Sequence, residues 1–465
     1  MKLKRILTLA AAAAFAVPAM LGAAPKYVFY FIGDGMGLGH LSCAEAYNHG
    51  VLGNDKKLFM LQFPVVSMAT SYSASSPITD SAAGGTALAT GHKTNNGMLG
   101  VTPDSVAVES IAARLFKQGW GVGIVTSAAP DDATPGAFYA HQPRRSMYYE
   151  IGKDMASCGY EFIGGANLRG TKGKDGKPTD LLRYFADNNV SIVRGTDALK
   201  DVNTRRVLLL NTDSTELNSI GYTIDSIAGA MTLTDMTKAC LNHLQKTSPD
   251  RFFMMIESSN IDHAAHSNDG GAIIKEIMSF QDAIKVAYDF YMKHPKETLI
   301  LISADHNTGG MSLANTHLHY AANLKVIDSQ RISKDEFSGW CNSLLKQRKY
   351  TTWEEMKKEL GDKLGLWTTV QPTKKQTEYI KDTFDKTFRQ RNASKTHKTL
   401  YNTSNEFVEA VFDTFNDLAG IGFTAESHSG DFVPVISIGA ESRRFHGLHD
   451  NTDLPKMIYD IVSGK

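Results

Sequence analysis

Residues suited to metal or proton chemistry stand where apolar runs stop. Asp34 ends KYVFYFIGD, Glu257 ends RFFMMIE, and Asp305 with His306 follows TLILISA. Just past Glu257, Asp262 and His266 are four apart, a spacing that puts both side chains on one face of a helical turn. In an open α/β sheet ligands bind at the carboxyl ends of the strands. Carboxylates gathered there repel one another unless a cation lies among them, and no Lys or Arg adjoins them in sequence. Imidazoles beside carboxylates, with no thiolates, suit zinc, whereas an oxygen-only subset suits magnesium. Taken alone, Asp262 could equally cap a helix with His263 and His266 on the surface. The other strand-end residues favour the cation.

A nucleophile stands in SPITDSAAGGTALATGHKTNNG, where Ser81 follows Asp80 at the head of a short helix that should end near Gly91. Backbone N–H groups and the positive dipole end favour a phosphate there, although Asp80 and Ser81 also read as an ordinary cap. Serine is a poor nucleophile at neutral pH, and a coordinated zinc would deprotonate it without a histidine base. Two glycines early in this helix cost about 1 kcal/mol each relative to alanine unless close packing needs them.

The elements that must position these groups are legible as runs. KYVFYFIGD, GVGIVTS, RVLLLN, RFFMMIES, ETLILISAD and FVPVISIG are continuously apolar, as expected of central parallel strands covered on both faces. The predicted fold class is α/β, a three-layer sandwich with a central, mostly parallel sheet flanked by helices. Between 311 and 424 the texture becomes charged and helical, which predicts an insertion that returns to the sheet at DFVPVISIG. The chain of 465 residues is long enough for one large domain carrying such an insertion. Lys+Arg and Asp+Glu both number 49, so no overall field draws the protein to nucleic acid or an anionic membrane, and phosphate recognition must be local.

At the N-terminus, Lys2, Lys4 and Arg5 precede a short apolar stretch with Pro18 near its end, then Gly22, Ala23 and Ala24. This reads as a secretory signal peptide, residues 1–23, cleaved after Ala23, leaving an exported mature chain 24–465, periplasmic or extracellular, with no membrane span. The alternative is a retained anchor helix. Cys43, Cys158, Cys240 and Cys341 lack any Cys-x-x-Cys spacing, which argues against a thiolate zinc site. They permit two bridges in an oxidising compartment, with the pairing open.

FIGDGMG, TDSAAGGTALATG, DDATPGAFYAHQPRR, IESSNIDHAAH, SADHNTGG, SHSGDFVP and GLHDNTDL, in this order over nearly the whole mature chain, resemble the motifs of the exported bacterial alkaline phosphatases. The resemblance implies hydrolysis of phosphate monoesters through a phosphoserine, with two zinc ions and one magnesium per chain. It implies that Asp262, His266 and His428 hold one zinc and that Asp305, His306 and Asp34 hold the second. Asp34 would also reach a third site, shared with Glu257 and Thr134, for magnesium. Ser81 would be the nucleophile and Arg145 the phosphate clamp, chosen over Arg144 by counting from His141 in HQPRR. Asp132 and His263 would border the phosphate and the third site, and this mixture leaves the third metal open. The 311–424 segment would correspond to the family's variable crown, and the family suggests a homodimer acting on small phosphomonoesters.

Within the wider superfamily a sulfatase would need arginine where Thr79 stands after Ser75 and Pro77. A phosphodiesterase could use the same bimetallic core, although Arg145 and the third-site ligands suit a monoester dianion better. A non-catalytic exported metal- or phosphate-binding protein would have no use for Ser81. His317 and His319 carry no assignment, and Asn392 and Asn402 head glycosylation sequons.

Overall fold

Continuous apolar runs can be buried on both faces only at the middle of a layered structure, and that is where they lie. In the computed structural model, which describes residues 24–212, 219–227, 229–315, 320–347, 351–390 and 395–465, they form the centre of a single ten-stranded sheet. The proposed leader, His317, His319 and Asn392 lie outside the described residues.

In chain order the strands are β1 (Tyr27–Gly33), β2 (Val65–Thr70), β3 (Gly121–Thr126), β4 (Phe162–Gly164), β5 (Ser191–Arg194), β6 (Val207–Leu210), β7 (Phe252–Ser258), β8 (Thr298–Ser303), β9 (Val433–Gly439) and β10 (Leu448–Asp450). Their spatial order is β10-β2-β9-β8-β1-β7-β3-β4-β6-β5. The sheet is mostly parallel, as expected; of the six apolar runs read as parallel strands one differs, since β9, the run FVPVISIG, pairs antiparallel with both β8 and β2. Its apolar face pattern reflects a position between two neighbours, which burial demands of either direction. Short β2, β4, β5 and β10 carry weak or alternating patterns and were not legible as strands.

Side-chain alternation along β1 divides the core into two layers. Phe29 and Phe31 pack on Phe290 and Phe280 of the long Gly270–Tyr291 helix, with ring centroids 5.6 and 5.8 Å apart. Tyr30 points to the other face, 6.3 Å from Phe138. Between 311 and 424 lie helices Lys334–Lys346, Trp353–Leu364, Lys374–Phe384 and Glu406–Ala419, and a hairpin of Thr396–Lys398 with Thr403–Asn405. Asn402 at this hairpin donates its amide to Asp335 at 2.6 Å. The four cysteines are all unpaired, Cys43, Cys240 and Cys341 being buried and Cys158 half-buried. No helix among the described residues is long and apolar enough to cross a membrane.

The topology fixes which ends meet. Parallel β1, β3, β7 and β8 all finish at one edge, and antiparallel β9 starts there. Onto this edge docks the Ser81–Thr90 helix, buried along its whole length. Its two glycines are required by close approach. A Cβ on Gly84 would lie 2.9 Å from the carbonyl oxygen of Asp305, and one on Gly85 would lie 3.1 Å from the Thr134 Cα. Gly84→Ala should therefore push the helix from the sheet edge and destabilise the protein by about 1–3 kcal/mol, despite alanine's better helix propensity. Urea unfolding of the two proteins checks this, and an unchanged or raised midpoint would contradict it.

Candidate metal and phosphate site

At the shared edge, Asp34 follows β1, Glu257 lies in β7 opposite Ile32 of β1 and Thr126 of β3, and Asp305 and His306 follow β8. Residues Asn260–His266 form a single short helix, so Asp262 and His266 share a face as their spacing predicts. His428 arrives on the two-residue strand His428–Ser429, which pairs with Asn307–Thr308 just after His306. Gly35, with φ of 72°, turns the chain after Asp34 so tightly that a Cβ there would lie 2.9 Å from Asp262 Oδ1 and from Thr308 Oγ1.

The structure brings all the strand-end suspects together. Asp34, Asp305 and His306 form one group whose ligand atoms lie within 4.8 Å of one another, and Asp262, His306 and His428 form another. His266 Nε2 is 3.1 Å from His428 Nε2 and 3.5 Å from Asp262 Oδ2. Thr134 Oγ1 donates to Asp34 Oδ2 at 3.4 Å.

The histidines are held in ligand form by groups behind them. His266 Nδ1 lies 2.6 Å from the Glu426 carbonyl oxygen and His428 Nδ1 lies 2.8 Å from that of Thr79. A carbonyl only accepts, so each Nδ1 carries the proton and each Nε2 turns a lone pair to the site. Burial lowers the pKa of His306 and His428, which keeps the rings neutral. Thr308, absent from the sequence-based set, bonds Asp262 Oδ1 at 2.5 Å and lies 3.2 Å from His306 Nδ1.

The carboxylates lack what they need. Asp34 Oδ1, Glu257 Oε2, Asp262 Oδ2 and Asp305 Oδ2 are buried and make no hydrogen bond among the described residues. Burial, reinforced by neighbouring carboxylates, pushes Asp34 well up, Glu257 to about 8 and Asp305 to about 7. Four orphaned carboxylate oxygens beside neutral imidazoles are a donor set that fits divalent cations, the nitrogen-bearing groups suiting zinc and the Asp34, Glu257 and Thr134 oxygens suiting magnesium.

Beside this cluster lies a rim of paired carboxylates and guanidiniums. Ser81 Oγ, buried at the first position of its helix, is 3.1 Å from His306 Nε2. Asp80 caps the helix by accepting from Ala83 N at 3.0 Å, and its other oxygen is 3.3 Å from Arg145 Nη1. Arg145 Nη2 lies 3.3 Å from Asp132 Oδ1, whereas Arg144 is exposed. The second oxygen of Asp132 meets Arg169 Nη2 at 3.1 Å. Burial opposes ionisation of Asp132, but Arg169 and then Arg145 hold its pKa down at about 2.

His263 Nε2 lies 3.3 Å from Ser259 Oγ, and its ring lies 3.8 Å from that of Tyr401. Arg169 and Tyr401 were missed in the sequence. Arg169 opens the short 3-10 turn Arg169–Thr171 after a three-residue strand, and Tyr401 comes from the distant hairpin of the 311–424 segment. Neither carries a local signal.

Without metal, folded Glu257 and Asp305 retain protons that the unfolded chain loses near pH 4.5 and 3.8. Above the histidine range the folded state then binds more protons than the unfolded one, so stability falls as pH rises from about 7 toward about 8; below about 7 the buried histidines, His306 and His428 among them, pull the other way because the unfolded chain protonates them first. Chelated protein should show a urea midpoint that declines from pH 7 to 8, and zinc plus magnesium should abolish most of the decline. A midpoint that climbs over this range in chelator would contradict the arrangement.

Comparison with known proteins agrees with this geometry. The family model described as alkaline phosphatase matches residues 25–168 and 153–463. Alkaline phosphatase 4 of Bacillus subtilis is 29% identical over 444 residues, covering 94% of this chain and 88% of the relative. Alkaline phosphatase 3 of the same organism is 28% identical over 464 residues, covering 94% of this chain and 89% of the relative. Among solved structures, the cold-active alkaline phosphatase of a psychrophilic Shewanella sp. superposes with a TM-score of 0.78 at 24% identity, covering 94% of this chain and 99% of the other. The Thermus thermophilus enzyme gives 0.76 at 23%, covering 96% and 93%. With the model spanning nearly all of the described chain and the sheet-edge cluster lying inside it, the chain belongs to the alkaline phosphatase family of phosphate-monoester hydrolases.

Proposed function

We propose that Ser81 is the nucleophile with which this metal-dependent phosphomonoesterase works, and that it forms a phosphoserine. The observation that carries the reading is the position of Ser81 Oγ: buried at a helix N-terminus, 3.1 Å from His306 of the carboxylate–imidazole cluster, and next in sequence to the Asp80 that contacts Arg145. Asp262, His266 and His428 would hold one zinc, Asp305, His306 and Asp34 a second, and Asp34, Glu257 and Thr134 a magnesium. When bound, these cations supply Lewis acidity that lowers the pKa of a hydroxyl or water and offsets phosphoryl charge.

The chain's own groups define the rest. The Ser81 hydroxyl gives up its proton to solvent as Oγ bonds to phosphorus and the bond from phosphorus to the alcohol oxygen breaks, and that oxygen leaves as the alcohol with a proton taken from solvent. Water then attacks the phosphoserine, restoring the Ser81 hydroxyl and releasing inorganic phosphate. The backbone N–H groups at the head of the helix face the incoming phosphoryl oxygens. Arg145 offers a planar fork to two of them, and Asp80 and Asp132 hold that fork at the rim. His263 and Asp132 border the third site.

We read the N-terminal 23 residues as a secretory leader, the protein as exported, residues 311–424 as a crown-type insertion, and the assembly as a homodimer. Light scattering on the mature protein tests the last of these.

Purified mature protein loaded with zinc and magnesium should hydrolyse an aryl phosphate monoester much faster than the matched diester, with turnover lost on chelation. Ser81→Ala should lower monoester turnover by at least about 10³-fold while metal content, measured by mass spectrometry, stays constant. Dominant diester cleavage would favour the phosphodiesterase reading, and full activity in Ser81→Ala would remove Ser81 as nucleophile.

A further inference from the structure

Asp132 divides its two oxygens between two guanidinium groups. Oδ1 faces Arg145 Nη2 at 3.3 Å and also accepts from Ala133 N at 2.8 Å, while Oδ2 faces Arg169 Nη2 at 3.1 Å. Arg145 is thus tethered by single, long contacts to one oxygen of Asp132 and one of Asp80, and to neither carboxylate in the paired fork that gives the strongest arginine–carboxylate bond.

Arg169 is built in firmly. Its backbone N–H and that of Gly170 donate to the two oxygens of Asp131 at 3.1 and 2.7 Å. Its Nη1 donates to the Tyr148 hydroxyl at 3.0 Å, with the guanidinium 5.2 Å from the Tyr148 ring centroid. The adjacent pair Asp131-Asp132 therefore grips Arg169 twice, one carboxylate by the backbone and the other by the side chain.

We propose that Arg169 is a positioning residue of the phosphate site: by occupying Asp132 Oδ2 it stops Asp132 from closing both oxygens on Arg145, which leaves the Arg145 fork for phosphate. The inference rests on the reading of Arg145 as the phosphate clamp and goes beyond it. Charge arithmetic points the same way. Arg169 offsets part of the charge of Asp132, so losing it leaves that carboxylate less compensated beside an incoming dianion.

The test is a double-mutant cycle on full-length mature protein loaded with zinc and magnesium, read by calorimetric titration with inorganic phosphate and by monoester kinetics. Arg169→Met should raise the phosphate Kd about tenfold, with the kinetic loss falling mainly on KM rather than kcat, and Arg169→Lys should recover part of it. In an Asp132→Asn background, Arg169→Met should change the phosphate Kd by less than about twofold, because the carboxylate it restrains has lost its charge. Metal content and melting temperature are measured on every variant. If Arg169→Met does not fold, Arg169→Lys against Arg169→Lys with Asp132→Asn carries the same comparison. An unchanged Kd in Arg169→Met, or an equal loss in both backgrounds, overturns the role of Arg169. Wild-type monoester turnover in the same preparations is the separate control on the functional reading, so the two failures are distinguishable.

Discussion

Mutual repulsion among buried carboxylates is the constraint on which this structure turns. Asp34, Glu257, Asp262 and Asp305 stand at one sheet edge with orphaned oxygens, in a place where water cannot satisfy them. Ionising such groups together without compensation is prohibitively unfavourable at low dielectric, and protonating them wastes their ligand capacity. Divalent cations resolve the conflict. Much of the surrounding architecture then serves to keep the resulting cage in shape: backbone carbonyls of Thr79 and Glu426 fix histidine tautomers, Thr308 braces Asp262, and Gly35 and Gly84 let main chain approach where a methyl group would intrude.

The phosphate side follows a different electrostatic logic. There, Asp80 and Asp132 are paired with guanidiniums, and the head of a buried helix supplies backbone donors. The two halves meet at Ser81 and His306, whose 3.1 Å contact joins the cation cage to the anion rim. A dianionic monoester needs both halves at once, which is consistent with the family's chemistry.

How much of this was legible in the sequence depended on whether a residue's role is local. Strand-end acids could be read because a continuous apolar run announces its own end, and Asp262 with His266 because four residues make one helical turn. The helix from Ser81 to Thr90 was legible from its cap and its closing glycine. His428, Arg145 and Thr134 have no such signature and were reached through motif resemblance alone. Arg169 and Tyr401 were missed because tertiary packing, with no local pattern, brings them to the site. The direction of β9 was likewise hidden, since burial on both faces gives the same apolar run in either orientation.

His428 bonds Thr79 across 349 residues of chain. Its strand is laid down only after the 311–424 segment has been traversed and just before β9 inserts between β8 and β2. Every other member of the cage precedes this histidine in the chain, His306 by more than the whole 311–424 segment. Closing a loop of that length is entropically slow relative to local helix and hairpin formation. The cage is thus closed by one of the most non-local contacts in the fold, between residues near opposite ends of the chain.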